Sequence, residues 1–377
     1  MIADESELDE LRSAVRDFLE AKSPEEAVRK LMESEPRYDP AVWAQLTEQL
    51  RLPGLAIPEE YGGDGFGPVE LGVVLEEMGR ALLCAPFFAT VVLAAQAVLA
   101  SGDAEACARL LPGIAAGATT ATLAVAENSG SWDPALISAR AVRDGEGGVG
   151  GGGGWRLTGR KGFVIDGTTA DLVLVVARTV GGPSLFAVDG PAPGLTAESM
   201  ETLDATRAMA RLTLDAVPAT LIGSDGAGGR IMAKVLDYAS VALAAEQSGG
   251  SRRCLETAAE YARTRHQFGR PIGSFQAVKH KCADMLVQVE LAEAASREAA
   301  RLAAEGSPDY PVAAGVAHVA CSRAYMFTAM ENIQVHGGIG FTWEHPAHLY
   351  FRRAKSSQLL FGGPAVYSER LLDRLGI

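Results

Sequence analysis

Glu246 is the carboxylate that draws attention first. It stands in Leu243-Ala244-Ala245-Glu246-Gln247-Ser248-Gly249-Gly250, an otherwise small and apolar helix segment. A carboxylate in dry surroundings has its charged form disfavoured, which suits it to proton transfer. The same surroundings suit a structural Glu paired with an arginine or a neighbouring subunit, and a solvated position is the third reading. His336 precedes Gly337-Gly338-Ile339-Gly340 and reads as a satisfied loop histidine. Glu344, in Trp343-Glu344-His345-Pro346, reads as structural. The five cysteines (84, 107, 254, 282 and 321) contain no CxxC pair and are odd in number. They form neither a disulfide framework nor a zinc site, and no metal is expected. Gly145 to Gly154 holds eight glycines in ten positions. A strand-like Trp155-Arg156-Leu157-Thr158 follows where a phosphate loop needs a helix, so a hairpin connection is expected.

The elements that position these residues fall into three zones. The chain has 377 residues, 48% hydrophobic and 21% charged, enough for two or three domains with large cores. Lys plus Arg is 34 and Asp plus Glu is 47, a net charge of −13, which argues against a nucleic-acid face. An anionic substrate remains compatible with it, because local sites can be basic on an acidic protein. Residues 1–118 read as helical, with Ser23-Pro24-Glu25-Glu26 as a helix start, a helix over Ala41 to Leu50, and a glycine-rich loop at Pro58 to Gly65 feeding a helix over Val69 to Ala81. The apolar run Ala81 to Ala100 contains Pro86 and Gln96 and reads as a buried core helix, not a membrane span. Residues 119–228 carry short β runs at Thr120–Ala126, Ala139–Arg143, Trp155–Thr158, Leu172–Ala177, Ser184–Val188 and Ala208–Leu214, a small antiparallel β domain. Residues 229–377 return to long helices, Ile231–Arg263, Gln276–Ala304 and Pro311–His336, which suit a bundle. The class is α+β. The acidic N-terminus shows no signal peptide, and a cytoplasmic protein with reduced thiols is expected.

Four motifs in order resemble the acyl-CoA dehydrogenase family. They are Ile57-Pro-Glu-Glu-Tyr-Gly-Gly63, Tyr261 to Gln276 with Arg265-His266-Gln267-Phe268-Gly269 inside it, Gln334-Val-His-Gly-Gly-Ile-Gly-Phe341, and Glu344-His-Pro346 with Arg352-Arg-Ala354. The resemblance spans nearly the whole chain. It implies an N-terminal helical domain, a middle β domain and a C-terminal four-helix bundle, with FAD between the last two and a neighbouring subunit's bundle completing the site. It implies that Arg265 pairs with the FAD pyrophosphate, for which a guanidinium fork is suited. Gln267, Phe268, Gln276 and Gln334 are implied as further FAD contacts. Gly337 and Gly338 would let backbone N–H groups approach the cofactor. Ala126-Glu127-Asn128-Ser129-Gly130-Ser131 resembles the family's T-E-P…G-S segment: Ala126 lacks the hydroxyl, while Ser131 keeps one. Lys161-Gly162-Phe163-Val164-Ile165 resembles K-x-W-I-T. Phe163 keeps the aromatic cover of the flavin, and Ile165 lacks the Thr hydroxyl near N5.

The catalytic pattern is interrupted. The family reaction removes an α proton from an acyl-CoA thioester with a carboxylate and passes the β hydrogen to flavin as hydride. The usual position of that Glu falls on Phe361 or Gly362, and the alternative Glu-Arg pair on the first bundle helix falls on Ala239 and Ser240. None of these accepts a proton. Glu246 shares a helix face with Ala239 but lies about 10 Å further along the axis. The resemblance therefore implies the subunit without the base in a heteromeric α2β2 enzyme, paired with a homologous acyl-CoA dehydrogenase chain. Such enzymes act on bulky, steroid-derived acyl-CoA and pass electrons to electron-transfer flavoprotein. The alternatives are a self-sufficient homotetramer using Glu246, or a flavin oxidase or hydroxylase of the same fold.

Overall fold

The computed structural model describes residues 2–144 and 154–377. The expected glycine-rich hairpin connection lies, up to Gly153, outside the described residues. The helices in chain order are α1 (Glu5–Lys22), α2 (Glu25–Met32), α3 (Pro40–Leu50), α4 (Pro68–Arg80), α5 (Gln96–Ser101), α6 (Ala104–Ala115), α7 (Gly228–Thr264), α8 (Gln276–Ala304), α9 (Tyr310–His336), α10 (Ala347–Leu359) and α11 (Pro364–Leu375). The strands are β1 (Ala121–Ala124), β2 (Arg140–Arg143), β3 (Trp155–Ile165), β4 (Leu172–Thr179), β5 (Gly182–Asp189), β6 (Leu195–Ser199), β7 (Met209–Ile222), β8 (His266–Gln267) and β9 (Arg270–Pro271). Two compact units result. One comprises Met1–Lys30, Gly67–Leu83 and Ser240–Ile377, the other Leu31–Phe66 and Cys84–Ala239.

The first unit is helical. Asp4 and Glu7 form a capping box that satisfies two N-terminal amides of α1. Helix α1 packs on α4, α4 on α8, and α9 against α8, α10 and α11. Helices α4 and α7 meet backbone to backbone. A Cβ on Gly79 would lie 2.0 Å from the Glu246 carbonyl oxygen, and one on Gly249 would lie 1.8 Å from that of Glu76. Both glycines are there because no side chain fits.

The second unit holds the β domain. Strands β4, β2, β3, β7 and β5 pair in that order, and β5 pairs back to β4, which closes a ring. Strand β1 lies parallel to β4, and β6 pairs with β7. The sheet is thus mixed, with antiparallel pairs predominating as expected. Its interior is filled by Leu157, Val175, Phe186, Leu212 and Val217 among others. The Trp155 and Phe186 rings meet edge to face at 5.3 Å.

Several elements differ from the sequence reading, among them β7, which runs on past Leu214 to Ile222. Strand β3 runs on from Thr158 to Ile165 through register shifts at Leu157/Gly159 and Lys161/Val164. Bulges carry it past glycines that look like a terminus. Strand β6 has no hydrophobic alternation, because four of its five residues are exposed and only its backbone pairs with β7. The run Ala81–Ala100 is buried over its middle, but winds into π-helical turns only over Phe88–Ala95, after a left-handed Leu82 (φ 49°). Thr90 ties that segment to β1, donating to the Ala121 carbonyl at 3.1 Å and accepting from its amide at 3.0 Å. Among the described residues no helix is long and apolar enough to cross a membrane.

Gly79→Ala and Gly249→Ala should each force α4 and α7 apart. The expected cost is about 1–3 kcal/mol or more, read as a lower urea midpoint for the helical unit. Gly229→Ala, with nothing within 4 Å of a Cβ, is the neutral control.

Candidate functional site

In the β unit, one buried cation organises the loop that follows β1. The Lys161 side chain is wholly buried and its Nζ donates to the Val125 carbonyl and to Glu127 Oε1, both at 3.0 Å. Glu127 also accepts from the amide of Ala139 at 2.8 Å and from the amide and hydroxyl of Ser138. Burial works against the Glu127 anion, but donors from Ser138, Ala139 and Lys161 outweigh it and hold its carboxyl down at about 2. Burial pushes the Lys161 ammonium down to about 8 against the pull of Glu127. The Gly162 amide donates to the Ala126 carbonyl at 2.9 Å, so β3 is stitched to this loop at successive residues.

That stitching brings the expected flavin contacts of this unit together. Phe163 has a left-handed backbone (φ 54°) and an exposed ring, against which a Cβ on Gly130 would sit at 3.5 Å. Ser131 is half-buried, and its hydroxyl accepts from the Asp133 amide at 3.2 Å. Ile165 is buried and offers only its carbonyl, which takes the Thr122 hydroxyl at 2.5 Å.

In the helical unit, β8 and β9 form a two-residue hairpin whose central residues Phe268 and Gly269 have φ of 52° and 76°. Positive φ at both positions is the type I′ pattern. The hairpin holds the Phe268 ring 90% exposed, edge-on to Phe275 at 6.1 Å. Arg265, Gln267, Gln276 and Gln334 are exposed, as are Gly337 and Gly338, whose Cβ positions face open space. Tyr261 stacks on His336 at 4.3 Å, which joins the Arg265–Gly269 and Gln334–Gly338 motifs at one end of the unit. His336 Nδ1 donates to the Asn332 carbonyl at 2.8 Å, the satisfied role expected of it. A guanidinium, three amides, an exposed ring and two unobstructed glycine amides fit the phosphate and aromatic parts of a dinucleotide such as FAD.

The positions expected for a base are closed. Phe361 is left-handed (φ 64°) and 1% exposed. The Gly362 carbonyl accepts from His318 Nε2 at 3.1 Å, and the His318 ring stacks on Tyr367 at 3.8 Å. The Tyr367 hydroxyl accepts from Ser240 at 2.7 Å. Ala239 and Ser240 are fully buried. Glu246 is buried and its carboxylate meets the Arg353 guanidinium at 3.1 Å, as in the structural reading of that residue. Sequence reading missed His318, Tyr367 and the Lys161–Glu127 pair. Arg353 was visible within a motif, but nothing in its spacing named Glu246 as a partner.

Comparison with known proteins gives a consistent answer. The chain matches the acyl-CoA dehydrogenase N-terminal domain over residues 5–118, the middle domain over 122–217 and the C-terminal domain over 226–375. It is 35% identical to acyl-CoA dehydrogenase IpdE2 of Mycobacterium tuberculosis, over 96% of this chain and 95% of that one. Among solved structures it is 36% identical to the Tcur3481–Tcur3483 steroid ACAD, a glycine-to-alanine variant, over 98% of both chains with a TM-score of 0.87. It is 30% identical to a chain of the ChsE4–ChsE5 complex from Mycobacterium tuberculosis, covering 99% and 98%, with a TM-score of 0.87.

Two expectations test the buried polar groups. Arg353→Leu leaves the Glu246 carboxylate without this cation and should cost about 3–5 kcal/mol, whereas Glu246→Gln should cost less; urea unfolding at pH 7 reads both. Burial lowers the His318 imidazole from 6.5 to about 4. A cation disfavoured in the folded state means that its contribution is intact above 6.5 and is lost as pH falls from there to about 4. Replacing His318 by Gln should flatten that part of the pH–stability curve, and the remaining slope should come partly from His348, which is also lowered to about 4 by burial and by Arg352.

Proposed function

We propose, from the premise that this chain belongs to the acyl-CoA dehydrogenase family, that it is the FAD-binding subunit without a base in a heteromeric enzyme. The observation that carries this reading is that neither base position holds a proton acceptor: buried Phe361 and half-buried Gly362 in one, buried Ala239 and Ser240 in the other. The arginine partner of Glu246 supports it further, since that carboxylate is already engaged in a buried ion pair. The solved relatives lean the same way: one is a complex of ChsE4 with ChsE5, another a steroid ACAD of Tcur3481 with Tcur3483. The substrate class we infer is a bulky, steroid-derived acyl-CoA, the acceptor is electron-transfer flavoprotein, and the compartment is the cytoplasm. The domains we assign are 1–118, 119–228 and 229–377.

Bound FAD supplies the acceptor for a hydride from the β carbon of the thioester. The residues of this chain bind and orient it. Arg265 meets the pyrophosphate charge, and Gln267, Gln276 and Gln334 offer amides. Phe268 and Phe163 offer aromatic faces, Ser131 a hydroxyl, and Gly337 and Gly338 unobstructed backbone amides. Ile165 makes no side-chain hydrogen bond to the ring. No group at 361, 362, 239 or 240 takes the α proton, so a homologous chain supplies that carboxylate.

The chain purified alone is expected to carry well under one FAD per chain. Co-expressed with a base-bearing homologue, it should form a stable heterotetramer that dehydrogenates acyl-CoA, with flavin content read from the visible spectrum and mass from light scattering. A flavin-replete homotetramer with turnover abolished by Glu246→Gln would overturn this reading in favour of a relocated base. Rapid reoxidation of the reduced flavin by oxygen would point instead to an oxidase.

A further inference from the structure

A cavity lies between α1, α4, α7 and α8 of the helical unit, lined by none of the residues expected to bind FAD. It measures about 300 Å³. Five arginines reach it: Arg12, Arg16, Arg80, Arg252 and Arg297. Each is tethered by a glutamate. Arg12 meets Glu76 at 2.6 Å, Arg16 meets Glu77 at 2.7 Å and Arg80 meets Glu256 at 2.6 Å. Arg252 and Arg297 share Glu293 at 2.7 and 3.3 Å, and Arg252 also meets Glu290 at 2.6 Å.

The ionic pairing does not exhaust the donors. A guanidinium carries five N–H donors and a carboxylate about four lone-pair sites, so five arginines offer about 25 donors against about 20 acceptors on five glutamates. Four of those glutamates line the cavity and Glu290 stands outside it, so the lining carries +5 and −4. Ser248, also in the lining, is 1% exposed, and its hydroxyl has no hydrogen-bond partner among the described residues. Lysine is absent from the lining, and arginine is the cation whose planar fork matches an oxyanion. With Glu290 paired to Arg252 the five arginines face five carboxylates, so what the cavity offers is surplus donors, complementary to a ligand that brings acceptors.

We propose that this cavity is a binding site for a small oxyanion, held by the spare guanidinium donors of Arg16 and Arg80 and by the Ser248 hydroxyl. The tethering glutamates fix the arginines in place, so little side-chain freedom is lost on binding.

The test is calorimetric titration of the full-length chain with inorganic phosphate and, separately, with succinate, in chloride buffer of matched ionic strength. Thermal unfolding is followed alongside. Saturable binding of one or both, at one site per chain, is expected, with a rise in Tm that follows ligand concentration. The arm that saturates tells whether the source is a phosphate or a carboxylate. Arg16→Gln should weaken binding about tenfold, and the milder Ser248→Ala about threefold, from the worth of hydrogen bonds to charged groups. Absence of saturable heat in both arms would overturn the proposal. So would unchanged affinity in both variants, or a Tm rise reproduced by chloride alone.

Discussion

A carboxylate taken out of water inside a helical unit must find a cation or give up its charge. The Glu246–Arg353 pair answers that constraint, and much of the unit is arranged around it. Helix α7 can bring Glu246 inward because Gly79 lets α4 lie against its carbonyl. Helix α10 must then present Arg353 at the same depth. One turn after Arg353, Ser357 is fully buried as well, so α10 keeps a polar face inside the unit. The pair therefore sets the azimuth of α10, which runs straight into the Leu360–Gly363 turn.

That turn is where the family's chemistry would stand. Two residues in the left-handed half of the map, Phe361 and Gly362, follow each other there. A bulky residue with positive φ persists only where surrounding contacts over-determine it. His318 supplies one such contact at the Gly362 carbonyl, and its ring is in turn held by Tyr367, which takes the Ser240 hydroxyl. The neutral, depressed imidazole suits that task, since burial and the nearby Arg370 disfavour its charged form while the Gly362 carbonyl still takes its N–H. The chain has thus built a rigid wall from hydrogen bonds and rings at the place a carboxylate would occupy.

The long elements were legible in the sequence because their signals are local. Helix α8 begins and ends where the 3.6-residue pattern does, and α9 differs by one residue at its start. The residues expected to meet a cofactor stand out for the opposite reason: Arg265, Phe268 and Gln334 are exposed, so packing within the chain does not account for their types. What could not be read depends on distant partners. Lys161 and Glu127 are 34 residues apart, and Glu246 and Arg353 are 107 apart. A buried charge looks like any other charge until its counter-ion is found. Strand β6 escaped for a related reason, because beyond Leu195 its residues are exposed and its backbone pairing with β7 leaves no pattern in the sequence.

The same distinction separates the two charged regions of the helical unit. Around Glu246 acceptor and donor are sealed together, so that pair is a device for holding helices. Around Arg16 and Arg80 the charges remain partly open, with side-chain exposures of 39% and 18%, and donors outnumber acceptors. Sealed pairs fix geometry, and unsealed surplus donors recruit ligands. On that physical ground the turn at Phe361 and the cavity at Ser248 are opposite solutions: one is closed by the chain's own rings and hydrogen bonds, the other keeps donors that its glutamates do not fill.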